Sequence, residues 1–128
     1  MSHAHILDTV HKNDPIGFWV DGELKPKKVA AFVDISTKEW AKITNLKPAS
    51  VRFDHRIPAV IKEHLAHVAN ICSLVAELFD NDIAKTKLWL DTPNPALGDI
   101  SPKGLIRFGK YQKLLSFVLL AKSESSEN

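Results

Sequence analysis

The strongest constraint on the fold is a long apolar pattern in the middle of the chain. Between residues 61 and 79, apolar side chains recur at alternating spacings of three and four, which aligns them on one face of an α-helix. This stripe comprises Ile61, Leu65, Val68, Cys72, Val75 and Phe79. A second stripe, comprising His64, His67, Ile71, Leu74 and Leu78, widens the apolar face. We therefore expect a central helix that neighbouring elements cover on more than one side.

Capping and turn residues predict shorter helices before this one. Pro26 fits the first turn of a short helix that ends near Val33. Ser36 and Glu39 form a capping box, in which each side chain accepts a hydrogen bond from the other residue's backbone N–H. A second helix should therefore start at Thr37 and run to Asn45, a residue that tolerates a left-handed turn.

Similar signals divide the remainder of the chain. Pro48 predicts a helix that includes Val51 and Arg52. Asp82 is a cap for a helix that Thr92 to Pro95 terminates. The cap Ser101-Pro102 predicts a short helix to Phe108, and Gly109 predicts a break after it. A final helix is predicted from the apolar pattern Tyr111, Leu114, Leu115 and Val118. The sequence thus predicts an all-α protein, and its 128 residues suit one compact unit.

A helix-turn-helix unit needs a small residue where its helices cross, and a residue that tolerates positive φ four positions later. Ala41 and Asn45 meet these needs, and Leu46 and Val51 supply the apolar positions that follow. Together with Glu39-Trp40 and Ser50, this spacing resembles the Xre/Cro-type helix-turn-helix. The structural role expected for Trp40 is that of a core anchor.

Charge is segregated along the chain. Residues 24–62 carry nine Lys or Arg against three acidic residues, whereas residues 1–23 and 63–128 are each net negative. Candidate DNA contacts cluster at the helix predicted from Pro48, the second helix of the helix-turn-helix unit, and comprise Lys47, Ser50, Arg52, His55 and Arg56. The positions that would face the major groove hold Pro48, Ala49 and Phe53, which cannot hydrogen-bond to bases. Two functions are therefore compatible with this unit: it binds operator DNA through phosphates, or it serves in dimerisation or packing.

The most specific motif lies between residues 82 and 109. Its elements are Asp82-Ile83-Ala84, Trp89-Leu90, Pro93-Asn94, Leu97-Gly98, Ser101-Pro102, Leu105 and Gly109. This order and spacing resembles the toxin-binding domain of the Xre/MbcA/ParS antitoxin family, and with the preceding unit the resemblance covers roughly residues 29–118. It implies a homodimeric antitoxin that binds a RES-domain toxin and blocks access to the toxin's NAD-consuming site.

The chain is thus predicted to comprise an N-terminal arm (1–24) and a polar tail (122–128), both outside the resemblance, with a helix-turn-helix-like unit (25–60) and a toxin-binding helical domain (61–121) between them. Candidate toxin contacts lie between the two motif helices and comprise Asp91, Pro93, Asn94, Leu97, Gly98 and Ser101. Each motif residue also has a structural explanation, such as Trp89 filling the core. A toxin-independent regulator and a helical protein-interaction adaptor are the alternative functions.

Nothing in the sequence indicates catalysis or a cofactor, since a Gly-rich phosphate loop, a nucleophile elbow and a paired metal motif are all missing. His64 and His67 could share a metal ion, but they lack a third ligand and are expected to be partly buried polar residues. The lone Cys72 is expected to be a core thiol. The apolar runs are too short to cross a bilayer, so we expect a cytoplasmic protein that does not bind membranes.

Overall fold

The computed structural model describes residues 14–127, and their side chains as far as residue 125. The elements are β1 (Trp19–Val20), β2 (Glu23–Leu24), α1 (Pro26–Val33), α2 (Thr37–Thr44), α3 (Ala59–Leu78), α4 (Ile83–Asp91), α5 (Pro102–Arg107) and α6 (Tyr111–Glu127). Single 3-10 turns occur at Pro48–Ser50 and Pro95–Leu97. The predicted all-α class is confirmed, because the two strands form only a short antiparallel hairpin.

Helix α3 is the centre of the molecule, as the two apolar stripes predicted. Every residue from Val68 to Ala76 is buried, including polar Asn70 and Ser73. Helices α1, α2, α4 and α6 all contact α3. A single core cluster extends from Phe18 to Val118, so the front and back halves of the described chain share one interior. No helix in residues 14–127 is both long and apolar enough to span a membrane.

Helix α6 runs parallel to α3. Tyr111, at the start of α6, contacts His64 near the start of α3, and Lys122 pairs with Glu77 near the end of α3. The predicted polar tail is wrong as far as Glu127, because α6 continues through it. Ser123, Glu124 and Ser125 are exposed within the helix, so their polarity does not mark its end, and the Lys122–Glu77 ion pair holds this part of α6 against α3.

The capping box is confirmed at the start of α2. The Glu39 N–H donates to Ser36 Oγ at 3.1 Å, and the Ser36 N–H donates to Glu39 Oε1 at 3.0 Å. Asn45 ends the helix in the left-handed region, at φ 59°. Trp40 is fully buried, which confirms its role as a core anchor.

The helix predicted from Pro48 is wrong. Pro48–Ser50 forms one 3-10 turn, and the chain then has no helix until Ala59. Val51 and Phe53 both pack against the core although they are two residues apart, a spacing that one face of a helix cannot provide. The segment is therefore held as a loop, and the front half lacks the second helix of a helix-turn-helix unit.

The predicted N-terminal arm lies partly outside the described residues, since 1–13 are not described. From Asp14 onward it is joined to the core. Phe18 is 1% exposed, and its ring meets that of Phe32 edge to face, with centroids 5.6 Å apart. The Asp14 carboxylate accepts hydrogen bonds from the backbone N–H groups of Gly17, Phe18 and Trp19. These three hydrogen bonds fix the turn at residues 14–19 and so place the Phe18 side chain in the core.

Candidate functional site

The predicted toxin contacts are Asp91, the last residue of α4, and five residues of the connection that follows; we call residues 91–101 the α4–α5 loop. Asn94 organises it from within. Its Oδ1 accepts from the Ala96 N–H at 2.9 Å, and its carbonyl accepts from the N–H groups of Leu97 at 2.9 Å and Asp99 at 3.0 Å. The Asn94 N–H donates to the Ile100 carbonyl at 3.2 Å, closing the loop. This network fixes the loop backbone without help from a partner.

The outer part of the loop is exposed, whereas its centre points inward. Asp91, Pro93 and Gly98 are exposed, and Asn94 and Ser101 are half-buried. Leu97 is 2% exposed, so its side chain belongs to the core and is not available as the predicted toxin contact. It anchors the loop, and Gly98 follows it in the left-handed conformation, at φ 74°. The available surface is therefore smaller and more polar than the sequence suggested.

Both ends of the loop are secured to the helices they join. Ser101 Oγ accepts from the Gly104 N–H at 2.9 Å, which caps α5, and Lys103 Nζ lies 4.0 Å from Asp91 Oδ1. Sequence reasoning missed Gly104. A Cβ atom there would approach Ile100 Cγ2 to 2.8 Å, so a larger residue would displace the end of the loop. A glycine inside a predicted helix was the available signal, because it often marks close packing.

The predicted DNA contacts, Lys47, Ser50, Arg52, His55 and Arg56, are all exposed on the loop between α2 and α3. Arg52 is already engaged, because its Nη2 lies 2.7 Å from Asp54 Oδ2. The Arg52 hydrogen bond, followed by one from the Arg56 backbone N–H, lowers the pKa of Asp54. The carboxylate therefore stays ionised and offsets part of the local positive charge. The structure gathers these residues on one loop, and residues 47–56 contain a single 3-10 turn where a helix would be needed to enter the major groove.

An apolar groove of about 300 Å³ lies where the ends of α3 and α4 meet α6. It is lined by Val75, Leu78, Phe79, Trp89, Phe117, Val118 and Ala121. Trp89 is only half-buried, so it borders this groove instead of filling the core as predicted. Leu88 and Leu120, on α4 and α6, are 67% and 60% exposed.

A second cavity, of about 440 Å³, separates α2 from α5 and is lined by Glu39, Lys42, Ile43, Arg107 and Phe108. Arg107 Nε lies 2.6 Å from Glu39 Oε2, so an ion pair links the two helices. The Ser36 backbone hydrogen bond, and to a smaller degree Arg107, lower the pKa of Glu39. This ion pair is a structural connection between the front and back halves of the chain.

His64 and His67 face α6, where both meet Tyr111. His64 Nδ1 lies 2.6 Å from Tyr111 Oη, and the His67 and Tyr111 rings stack with centroids 5.8 Å apart. Burial raises the pKa of Tyr111, so its phenol stays protonated. We assign the phenol as the donor and neutral His64 as the acceptor at Nδ1. The expectation of partly buried polar histidines is confirmed.

Acid is expected to weaken this contact. Burial, and then the nearby His67, lower the pKa of His64 below its ordinary value of 6.5. The unfolded chain therefore binds this proton more readily, and stability falls as pH drops below 6.5 towards the lowered folded pKa. Urea unfolding between pH 5 and 7.5 should show this loss in the wild type and a smaller one in His64→Gln. An identical pH dependence in both proteins would contradict the assignment.

In residues 14–127, no three His, Cys, Asp or Glu side chains lie close enough together to hold a metal ion. Cys72 is fully buried, which confirms the expected core thiol, and burial raises its pKa to about 12. Its thiolate is therefore scarce at neutral pH, and the residue is a packing element.

The described residues thus present two exposed loops, an apolar groove and a second cavity as candidate sites. The best organised of them is the α4–α5 loop, whose backbone is fixed and whose outer residues are exposed. A comparison of the chain with protein-family models, with curated proteins and with solved structures gives no match.

Proposed function

We propose that this protein is an antitoxin that neutralises a RES-domain toxin by covering the toxin's surface with the α4–α5 loop. The motif resemblance supplies the toxin class, and one structural observation supports the binding role. The outer part of the loop is exposed, yet Asn94 ties its backbone together through four hydrogen bonds, with Ala96, Leu97, Asp99 and Ile100. A loop that is ordered before binding loses little conformational entropy on association, which favours affinity.

The chemistry of the loop favours a protein partner. Its exposed residues include Asp91, Pro93, Pro95 and Asp99, which combine rigid apolar rings with carboxylates. Such a surface matches a partner that presents cations around an apolar patch. In this mechanism the antitoxin needs no reactive group of its own, because inhibition results from blocking access to the toxin's NAD site.

The proposal does not extend to reading operator sequence. The candidate DNA contacts lie on a loop, and Arg52 is paired with Asp54. The toxin-independent regulator and the interaction adaptor remain as alternatives that the following experiment separates from an antitoxin.

The test is co-expression with a RES-domain toxin encoded beside this chain's gene, with growth, cellular NAD and co-purification as readouts. The wild type is expected to restore growth and NAD and to co-purify with the toxin. Absence of rescue and association with such a toxin would refute the antitoxin proposal and leave the adaptor or regulator.

Asn94→Ala tests the role of the loop within that complex. It removes the Oδ1 acceptor and leaves the exposed residues in place, so we expect roughly tenfold weaker toxin binding from the added cost of ordering the loop. The matched control is Arg52→Ala with Arg56→Ala, which alters the other exposed loop and should leave the affinity unchanged. Isothermal titration calorimetry measures both. Equal affinity of Asn94→Ala and wild type would show that the toxin binds elsewhere.

A further inference from the structure

The cavity between α2 and α5 has no part in the proposed function. Its volume of about 440 Å³ lies within the range of small-molecule sites. Its lining combines two cations, two apolar side chains and one carboxylate, which are Lys42, Arg107, Ile43, Phe108 and Glu39. We call this cavity the α2–α5 cleft. A lining that joins charge to an apolar wall suits a ligand that has both an anionic group and a flat ring.

The positive charge of the cleft exceeds its negative charge. Glu39 Oε1 accepts from the Ser36 N–H at 3.0 Å, and Glu39 Oε2 lies 2.6 Å from Arg107 Nε, so the start of α2 holds the guanidinium in place. The Arg107 side chain is nevertheless 41% exposed, and it pairs with no other residue in 14–127. Lys42 is exposed and forms no ion pair within the same residues. A phosphate suits this arrangement, because a guanidinium can donate two parallel hydrogen bonds to it and an ammonium adds a point charge.

Phe108 supplies the apolar wall. It follows directly after Arg107 and is 67% exposed, so most of its ring faces solvent. A nucleobase that stacks on such a ring removes apolar surface from water and gains a stacking interaction. Because the guanidinium and the ring belong to consecutive residues, one small molecule can contact both. Phosphate alone would leave the ring uncovered, and an uncharged ring would leave the cations unused.

We propose that the α2–α5 cleft binds a nucleoside monophosphate, with its phosphate against Lys42 and Arg107 and its base on Phe108. A phosphate monoester carries a charge of about −1.5 to −2 at neutral pH, which offsets the unpaired ammonium and attracts the guanidinium. The proposal is independent of toxin binding, since it concerns the chain alone and is tested without a toxin.

The test is isothermal titration calorimetry of the full chain with adenosine monophosphate (AMP), adenosine and inorganic phosphate. AMP should bind at least roughly tenfold more tightly than either fragment, because only AMP uses both parts of the cleft. Phe108→Ala should weaken AMP binding roughly tenfold and leave phosphate binding unchanged. The matched control is Leu88→Ala, at an equally exposed apolar residue on α4, which should leave AMP binding unchanged.

Lys42→Ala tests the phosphate contact. It should weaken the binding of both AMP and phosphate, whereas Lys85→Ala, at an exposed lysine on α4, should weaken neither. Circular dichroism verifies that the variants keep their helix content. The proposal is overturned if AMP does not bind at millimolar concentration, if AMP binds no more tightly than its fragments, or if Phe108→Ala leaves AMP binding intact. A single-stranded oligonucleotide that binds far more tightly than AMP would also overturn it, and would identify nucleic acid as the ligand.

Discussion

Replacing Trp40 with alanine is expected to lower the free energy of unfolding by about 3–5 kcal/mol, the range for removing a large aromatic ring from a core. Trp40 is fully buried on α2, between the capping box and the left-handed turn at Asn45. Its loss leaves a cavity that α2 and its neighbours can fill only in part. Urea unfolding followed by far-UV circular dichroism measures the change independently of the fluorescence of the two remaining tryptophans.

Trp40→Phe is the matched control. The indole Nε1 of Trp40 is buried and has no hydrogen-bond partner in the described part of the chain. Phenylalanine keeps most of the apolar volume and removes this unsatisfied donor, so its cost should be well below that of alanine. If alanine were to cost less than about 1 kcal/mol, Trp40 would not be a core anchor.

Asp14→Ala should have the second largest effect, a loss of about 2–3 kcal/mol of stability. Asp14 Oδ1 accepts from the N–H groups of Gly17 at 3.1 Å and Phe18 at 2.9 Å, and Oδ2 accepts from that of Trp19 at 2.9 Å. Alanine leaves three backbone donors without this acceptor. It also releases the turn that delivers Phe18 to the ring of Phe32.

The comparison for Asp14 is Glu23→Ala, at a carboxylate in the hairpin that follows the Asp14 turn. The Glu23 side chain is 81% exposed and lies 3.9 Å from Lys25 Nζ, so its loss should cost less than about 0.5 kcal/mol. Asp14→Asn should fall between the two, because its amide retains one acceptor oxygen. Equal unfolding free energies for Asp14→Ala and Glu23→Ala would show that the carboxylate does not hold the hairpin.

The starts of the helices were predictable because the capping hydrogen bonds that fix them are local. Ser36 and Glu39 are three residues apart, and their reciprocal hydrogen bonds form whenever the helix does. Asp82 and Ser101 likewise accept the N–H of the residue three positions on, Lys85 and Gly104. In each case the residue that decides the structure and the group that it satisfies lie within one turn. No knowledge of the rest of the chain is needed.

The conformation of the loop after α2 could not be predicted from neighbouring residues alone. Pro48 does open a turn, as its restricted φ predicts, but nothing local reveals that the turn stops after Ser50. Val51 and Phe53 pack against a core built largely from distant parts of the chain, and that contact holds the segment out of helical geometry. The helix-turn-helix spacing was present in the sequence, yet burial determined the conformation.

The loop within residues 82–109 lies where the sequence predicted it, but the orientation of its side chains was not predicted. Loop position follows from Pro93, Pro95 and Gly98, which end or turn the chain locally. Whether a loop side chain faces a partner or the core depends on tertiary packing. Leu97 is therefore buried, although it was expected to contact the toxin. Trp89 was expected to be buried and is half-exposed beside the groove.

By itself, the sequence determined the all-α class, the central helix and nearly every helix start, because periodicity and capping act within a few residues. Only the tertiary structure decided that α6 runs parallel to α3, that Leu97 points inward and that Leu120 points outward. Those outcomes depend on contacts between residues far apart in the chain. The energy of such contacts comes from surface that is buried only when the helices meet.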